Sequence, residues 1–221
     1  GNKPKDEDLT TNANPDEVMK LFRGMGFNVI ETGLQHGTVT VMLNGTGYEI
    51  TTYRIDGEYE DGRRPSEVIF TDDIKEDLKR RDFTINAMAY SLQDGFVDEF
   101  GGVEDLSEGK IKAVGNANER IDEDALRMMR AIRFSAKYGF DIDDELIEAI
   151  KKNKESIRNV SAERINDEIC KLLVTKNPTY ILSYKMAKKT SGLGKKNGRF
   201  FYLKLTFSPL SRHFRHRSTT V

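Results

Sequence analysis

The hydrophobic pattern changes period part-way along the chain, and no single class of element accommodates both halves. Residues 27–31 and 37–43 have strand character, NGTG at 44–47 is a hairpin signal, and YEITTYR at 48–54 alternates as its partner. From about Glu119 to about Val174 the apolar residues recur at helical spacing instead. The expected fold is therefore an α/β (α+β) part with a small mixed sheet and flanking helices over residues 1–115. An all-helical part over 116–183 and a separate tail over 184–221 follow it.

Local signals fill in the first part. KDEDLTT at 5–11 reads as a short strand. NPDEVMKLFRGMG reads as a helix with Asn14 as N-cap and Pro15 in its first turn. DGEYEDGRRPSE is a long charged loop, VIF a short apolar continuation, and a helical stretch starts near Asp73. FVDEFGG and KIKAVG are short, turn-bounded segments.

Of the 221 residues, 32% are charged and 37% hydrophobic, the balance of a soluble, surface-rich protein. The lone cysteine, Cys170, lies in an apolar helical run and reads as a small buried side chain; one cysteine makes no internal disulfide. With no apolar run of membrane-spanning length and no signal peptide, a cytoplasmic protein without membrane contact is expected. The sequence opens on Gly1 with no initiator methionine, as a fragment would. The net charge of −1 hides an asymmetry: residues 184–221 carry ten Lys/Arg and no acid, against 25 Lys/Arg and 36 Asp/Glu before them. That tail reads either as a basic, aromatic-containing nucleic-acid extension or as sequence foreign to the rest.

Three constellations carry chemistry. Asp6 and Asp8 stand at i and i+2, which on a strand turns both carboxylates to one face. Adjacent carboxylates repel unless a cation lies between them, and divalent metals with oxygen ligands are the usual solution. Nucleotidyl transfer uses that arrangement. Glu49, in the partner strand with Thr51 and Tyr53 on its face, either completes such a site or faces solvent. KRRDFTINAMAYS at 79–91 sets three cations and Asp82 at the mouth of what reads as a buried helix, with Asn86 one turn inside. Asp82 there is either a plain N-cap or part of a site. In IDEDALRMMRAIRFSAKYGF, residues Asp124, Arg127, Arg130, Arg133 and Lys137 fall three or four apart on one helical face, beside a competing Leu126/Met129/Ile132/Ala136 stripe expected to face the core. An Asp and an Arg one turn apart suit the edge of a nucleobase; an intrahelical salt bridge is the plainer alternative.

Taken in order, these stretches resemble the class II tRNA nucleotidyltransferases, or CCA-adding enzymes, and the bacterial poly(A) polymerases that share their head. GNKPKDEDLTT is similar to the end of the D-x-D motif. YEITTYR and the DGEYEDGRRPSEVIF after it resemble the third-acid strand and flexible loop, and RRDFTINAMAYS resembles the second motif. VDEFGGVEDL resembles the hinge, EDALR the nucleobase-reading motif and SAERINDEI the helix that supports it. The resemblance implies a nucleotidyltransferase head, then a helical neck that binds nucleobase and RNA.

It implies two Mg²⁺ ions on Asp6 and Asp8, with Glu49 a further catalytic carboxylate. It assigns Asp82 to the ribose 2′-hydroxyl, Arg81 to phosphate or sugar, and Asn86 to the junction beside them. It assigns Asp124 and Arg127 to the edge of CTP or ATP, and Arg130 to stacking or phosphate contact. The implied reaction is CCA addition to tRNA from CTP and ATP. An A-adding enzyme, a poly(A) polymerase and a catalytically impaired RNA-binding fragment are the alternatives. The family's Gly-Gly-Arg triphosphate cradle precedes the D-x-D, where this sequence has only Gly1–Lys5, so reduced activity is expected. From about Leu182 the likeness ends.

Overall fold

The computed structural model describes residues 8–31, 33–57 and 68–175. Asp6, the DGEYEDGRRPSE loop beyond Gly57 and the basic tail lie outside them. The head opens with β1 (Leu9–Thr11), α1 (Pro15–Gly24), β2 (Asn28–Ile30), β3 (Thr38–Leu43) and β4 (Thr46–Thr52). The sheet order is β1-β4-β3-β2, with β1 parallel to β4 and the other pairs antiparallel, so the sheet is small and mixed as expected. Asn14 and Glu17 form a reciprocal capping box ahead of Pro15, which fixes where α1 starts. Leu43 and Thr46 pair across Asn44-Gly45, both with positive φ (51° and 81°), the mirror-type turn whose twist suits a hairpin.

The period of two then sorts the sheet's faces. Val39, Val41 and Ile50 pack under Val18 and Met19 of α1. Thr38, Thr40, Glu49 and Thr51 turn to the opposite face, where the Thr38 and Thr51 hydroxyls meet at 3.0 Å.

Next come β5 (Arg54–Asp56), β6 (Val68–Phe70), α2 (Ile74–Lys79), β7 (Ala89–Ser91), β8 (Gly95–Val97), α3 (Gly102–Glu108) and β9 (Lys110–Ile111). β5 pairs with β6 and β7 with β8, each antiparallel. The helical part holds α4 (Ala117–Glu123), α5 (Arg127–Tyr138), β10 (Asp141–Ile142), α6 (Asp144–Asn153) and α7 (Ala162–Leu173). Its core gathers Ile111, Ala117, Ile121, Met128, Ala131, Phe134, Leu146 and Ala149 around Phe83, a residue of the head. No helix among the described residues is long and apolar enough to cross a membrane.

Five expectations need correction. TINAMAYS is not a helix: α2 stops at Lys79, and a 3-10 turn at Thr84–Asn86 leads into β7. Long-range pairing overrides local propensity there, because Thr84 N–H donates to Lys112 O (3.0 Å) and Val114 N–H to Asp82 O (3.2 Å), with Phe83 bridged to Ala113. Asp124 is not on the face of α5 but at the end of α4, since its carboxylate accepts Leu126 N–H (3.0 Å) and starts a new turn. The buried face of α5 is accordingly rotated: Leu126 and Ala136 are buried, Met129 and Ile132 only half so, and Met128, Ala131 and Phe134 fill the core. The helical run is also interrupted by β10, which pairs in parallel with β9. Finally, Cys170 is exposed, because α7 buries the side that carries Glu168.

Phe83 is 1% exposed and meets Phe134 edge-on at 5.7 Å. Phe83→Ala should cost about 3–5 kcal/mol of unfolding free energy, a large share of a domain's stability. In the same urea titration, truncating exposed Leu173 should cost within about 0.5 kcal/mol.

Candidate active site

A cleft of about 1140 Å³ is lined by Asp8, Thr10 and Tyr53 from the head sheet and by Arg81, Asp82 and Asn86 from the loop after α2. Its other wall is Asp124, Arg127, Arg130, Phe134 and Arg164 from the helical part. The two walls meet because residues 82–84 pair with 112–114 just before the helical part begins.

At the sheet end, Leu9 pairs with Ile50 in parallel register. Asp8 and Glu49 each stand one residue before that pair, so the register brings them side by side. Both are exposed, and neither has an ion pair among the described residues. An exposed row of hard oxygen donors suits a divalent cation, so this end fits the metal that the D-x-D pattern implies. Tyr53 continues the Glu49–Thr51 face; burial first, then the charges of Asp77 and Asp94, push its phenol up, so it stays a protonated donor at neutral pH.

Asp82 is nearly buried and fully engaged. One carboxylate oxygen accepts Phe83 N–H (2.9 Å) and the Asn86 amide (3.0 Å), and the other takes the Arg130 guanidinium through Nε (2.7 Å) and Nη2 (2.6 Å). Asn86 therefore braces Asp82. The turn that carries them is itself backed by α3: the Thr84 hydroxyl donates to Asp105 (2.7 Å), and Asp98 accepts the Gly102 and Val103 N–H groups at 2.7 and 2.9 Å. A side chain at Gly102 would put its Cβ 2.3 Å from Thr84 O, so only glycine permits this approach.

Asp124 accepts two bonds from Arg164 of α7, at 3.2 and 2.7 Å. Arg127 is buried and donates to Arg120 O (2.8 Å) and Arg80 O (3.2 Å), and it pairs with Glu123. Arg133 donates to Glu168 (2.6 Å) and lies over the Phe134 ring at 4.2 Å. The cleft thus brings together Asp8, Arg81, Asp82, Asn86, Asp124, Arg127 and Arg130. Glu49 stands beside Asp8 in register without appearing in its lining, and Asp6 lies outside the described residues.

Arg164, Glu168, Tyr53 and Asp77 were not anticipated individually. The i, i+4 spacing of Arg164 and Glu168 was readable in SAERINDEI, but their partners lie some 40 and 35 residues away.

A family model described as "Poly A polymerase head domain" matches residues 1–112, and one described as "Probable RNA and SrmB- binding site of polymerase A" matches 139–188. The chain belongs to the poly A polymerase head-domain family, the group that its sequence motifs resemble. It is 44% identical over 209 residues to the CCA-adding enzyme of Lactobacillus helveticus, a match covering 92% of this chain and 51% of that protein. Its fold is similar to the Bacillus stearothermophilus CCA-adding enzyme in complex with CTP, with TM-score 0.70, 39% identity, and coverage of 80% of this chain and 41% of that one. It is also similar to the Thermotoga maritima CCA-adding enzyme complexed with tRNA_CCA, with TM-score 0.65, 27% identity, and coverage of 84% and 42%. The chain spans about half the length of the curated relatives it matches.

Because Asp82 is shielded and Arg130 is its only ion partner among the described residues, a double-mutant cycle of Asp82→Ala and Arg130→Ala should give a coupling of about 1–3 kcal/mol in urea unfolding. Coupling that vanishes at moderate salt would mean that the pair is solvent-screened instead.

Proposed function

We propose that the chain is the head and neck of an RNA nucleotidyltransferase that adds C, C and A to tRNA 3′ ends from CTP and ATP. The observation that supports this best is the cleft shared by Asp8 of the sheet with Asp82, Asp124, Arg127 and Arg130 of the loop and helices. One wall offers carboxylates for a metal-dependent phosphoryl step. The other offers the donors and acceptors that a ribose and a nucleobase edge require.

Asp6 and Asp8 would hold Mg²⁺, with Glu49 as a further carboxylate. The bound ions would activate the RNA 3′-hydroxyl and neutralise the triphosphate as pyrophosphate leaves. Asp82, held by Asn86, accepts the ribose 2′-hydroxyl, an acceptor role that deoxyribonucleotides cannot use. Arg81 meets phosphate or sugar oxygens. Asp124 supplies an acceptor edge to the base, with Arg127 beside it as donor, and Arg130 alternates between Asp82 and the nucleotide. A carboxylate and a guanidinium on a fixed frame read a base edge without a nucleic-acid template. The relatives complexed with CTP and with tRNA support the substrate classes.

The test is incorporation of labelled CTP and ATP into tRNA ending at the discriminator base, with Mg²⁺. Ordered addition of C, C and A is expected, and Asp8→Ala should lower it at least about a hundredfold. Addition restricted to tRNA already ending in CC would make this an A-adding enzyme. Runs of A on any RNA would make it a poly(A) polymerase.

A further inference from the structure

Asp77, in the last turn of α2, is 0% exposed yet carries a carboxylate. A buried carboxylate is stable only when donors replace its water. One oxygen accepts three: Arg54 N–H (3.2 Å), Arg80 Nε (3.0 Å) and Arg80 Nη2 (2.8 Å). The other oxygen takes Arg81 Nη2 at 3.3 Å. Arg80 is drawn further from the cleft by Asp56 (3.9 Å), which itself pairs with Arg54 at 3.3 Å. Arg81, in contrast, lines the cleft, and its Nε is buried without a hydrogen-bond partner among the described residues. One carboxylate thus holds two consecutive arginines apart, and the one left with spare donors belongs to the cleft wall.

From this geometry we infer that Asp77 is a positioning residue for anion recognition. It fixes the Arg81 guanidinium so that the remaining donors meet the phosphates of the incoming nucleoside triphosphate. The inference rests on the reading of Arg81 as a phosphate or sugar contact. It extends that reading to a residue that never touches the nucleotide. An asparagine at this position keeps one acceptor for Arg54 and Arg80 but presents an N–H group to Arg81. Donor then faces donor, and the guanidinium is released.

The test is calorimetric binding of CTP and of cytidine to the full chain with Mg²⁺, using Asp77→Asn, Arg81→Ala and the double variant. Each single change should weaken CTP binding about tenfold and leave cytidine binding within about twofold. The double variant should lose no more than Arg81→Ala alone. The inference is overturned if Asp77→Asn leaves CTP affinity intact, if it weakens CTP and cytidine alike, or if the two effects add. If the wild-type chain binds CTP and Arg81→Ala does not weaken it, the reading of Arg81 itself fails and takes the role of Asp77 with it. A wild-type chain that binds no CTP removes both. Should Asp77→Asn melt before binding is measurable, Asp77→Glu takes its place. Its extra methylene displaces the carboxylate and should still weaken CTP selectively, and equal affinity would overturn the inference.

Discussion

The antiparallel contact between residues 82–84 and 112–114 is what the rest of the structure hangs on. Because side chains alternate along an extended segment, three consecutive residues serve three purposes. Phe83 goes into the helical core, Asp82 into the cleft against Arg130, and Thr84 against Asp105 of α3. Burying the phenylalanine fixes where the carboxylate points. A loosened contact here would move the cleft's polar groups together with the core, so stability and site geometry share one origin.

The neck arginines tighten the same junction from the other side. Arg120 and Arg127 donate to the carbonyls of Lys79 and Arg80, the exposed ends of the α2 hydrogen-bond ladder. Cations at a helix C-terminus also meet the negative end of its dipole. Two of the cleft's carboxylates are paired across elements, Asp82 with Arg130 and Asp124 with Arg164. Such pairs add little net stability, because desolvation offsets most of the attraction. Their value here is placement: each carboxylate keeps a defined orientation in the absence of a nucleotide. That lowers the cost of ordering the site when a ligand arrives.

Much of this was legible from the sequence where the cause is local. The N-cap at Asn14, the Asn-Gly turn at 44–45 and the helix start at Asp73 are decided within four residues. Asp8, Asp82, Asp124, Arg127 and Arg130 were picked out by residue type and order, and the fold brings them to one cleft. What the sequence hid is non-local. TINAMAYS has helix-compatible composition, and only pairing with a segment some 30 residues downstream turns it into a 3-10 turn and a strand. Asp124 was placed on the wrong element because a side-chain hydrogen bond to Leu126, rather than hydrophobic period, ends α4. Arg164 and Glu168 acquire their meaning from distant partners, Asp124 at the end of α4 and Arg133 on α5, that no local pattern names. Asp77 is the intermediate case. Its spacing to Arg80 and Arg81 was visible, but its complete burial was not.

The most direct measurement is a crystal structure of the chain with CTP and Mn²⁺, located by its anomalous signal. The account predicts manganese bound to Asp8, the ribose 2′-hydroxyl on Asp82 and the cytosine edge facing Asp124. Arg130 should have shifted from Asp82 to admit the sugar. CTP seated anywhere other than this cleft, or manganese away from Asp8 with the base turned from Asp124, would contradict it.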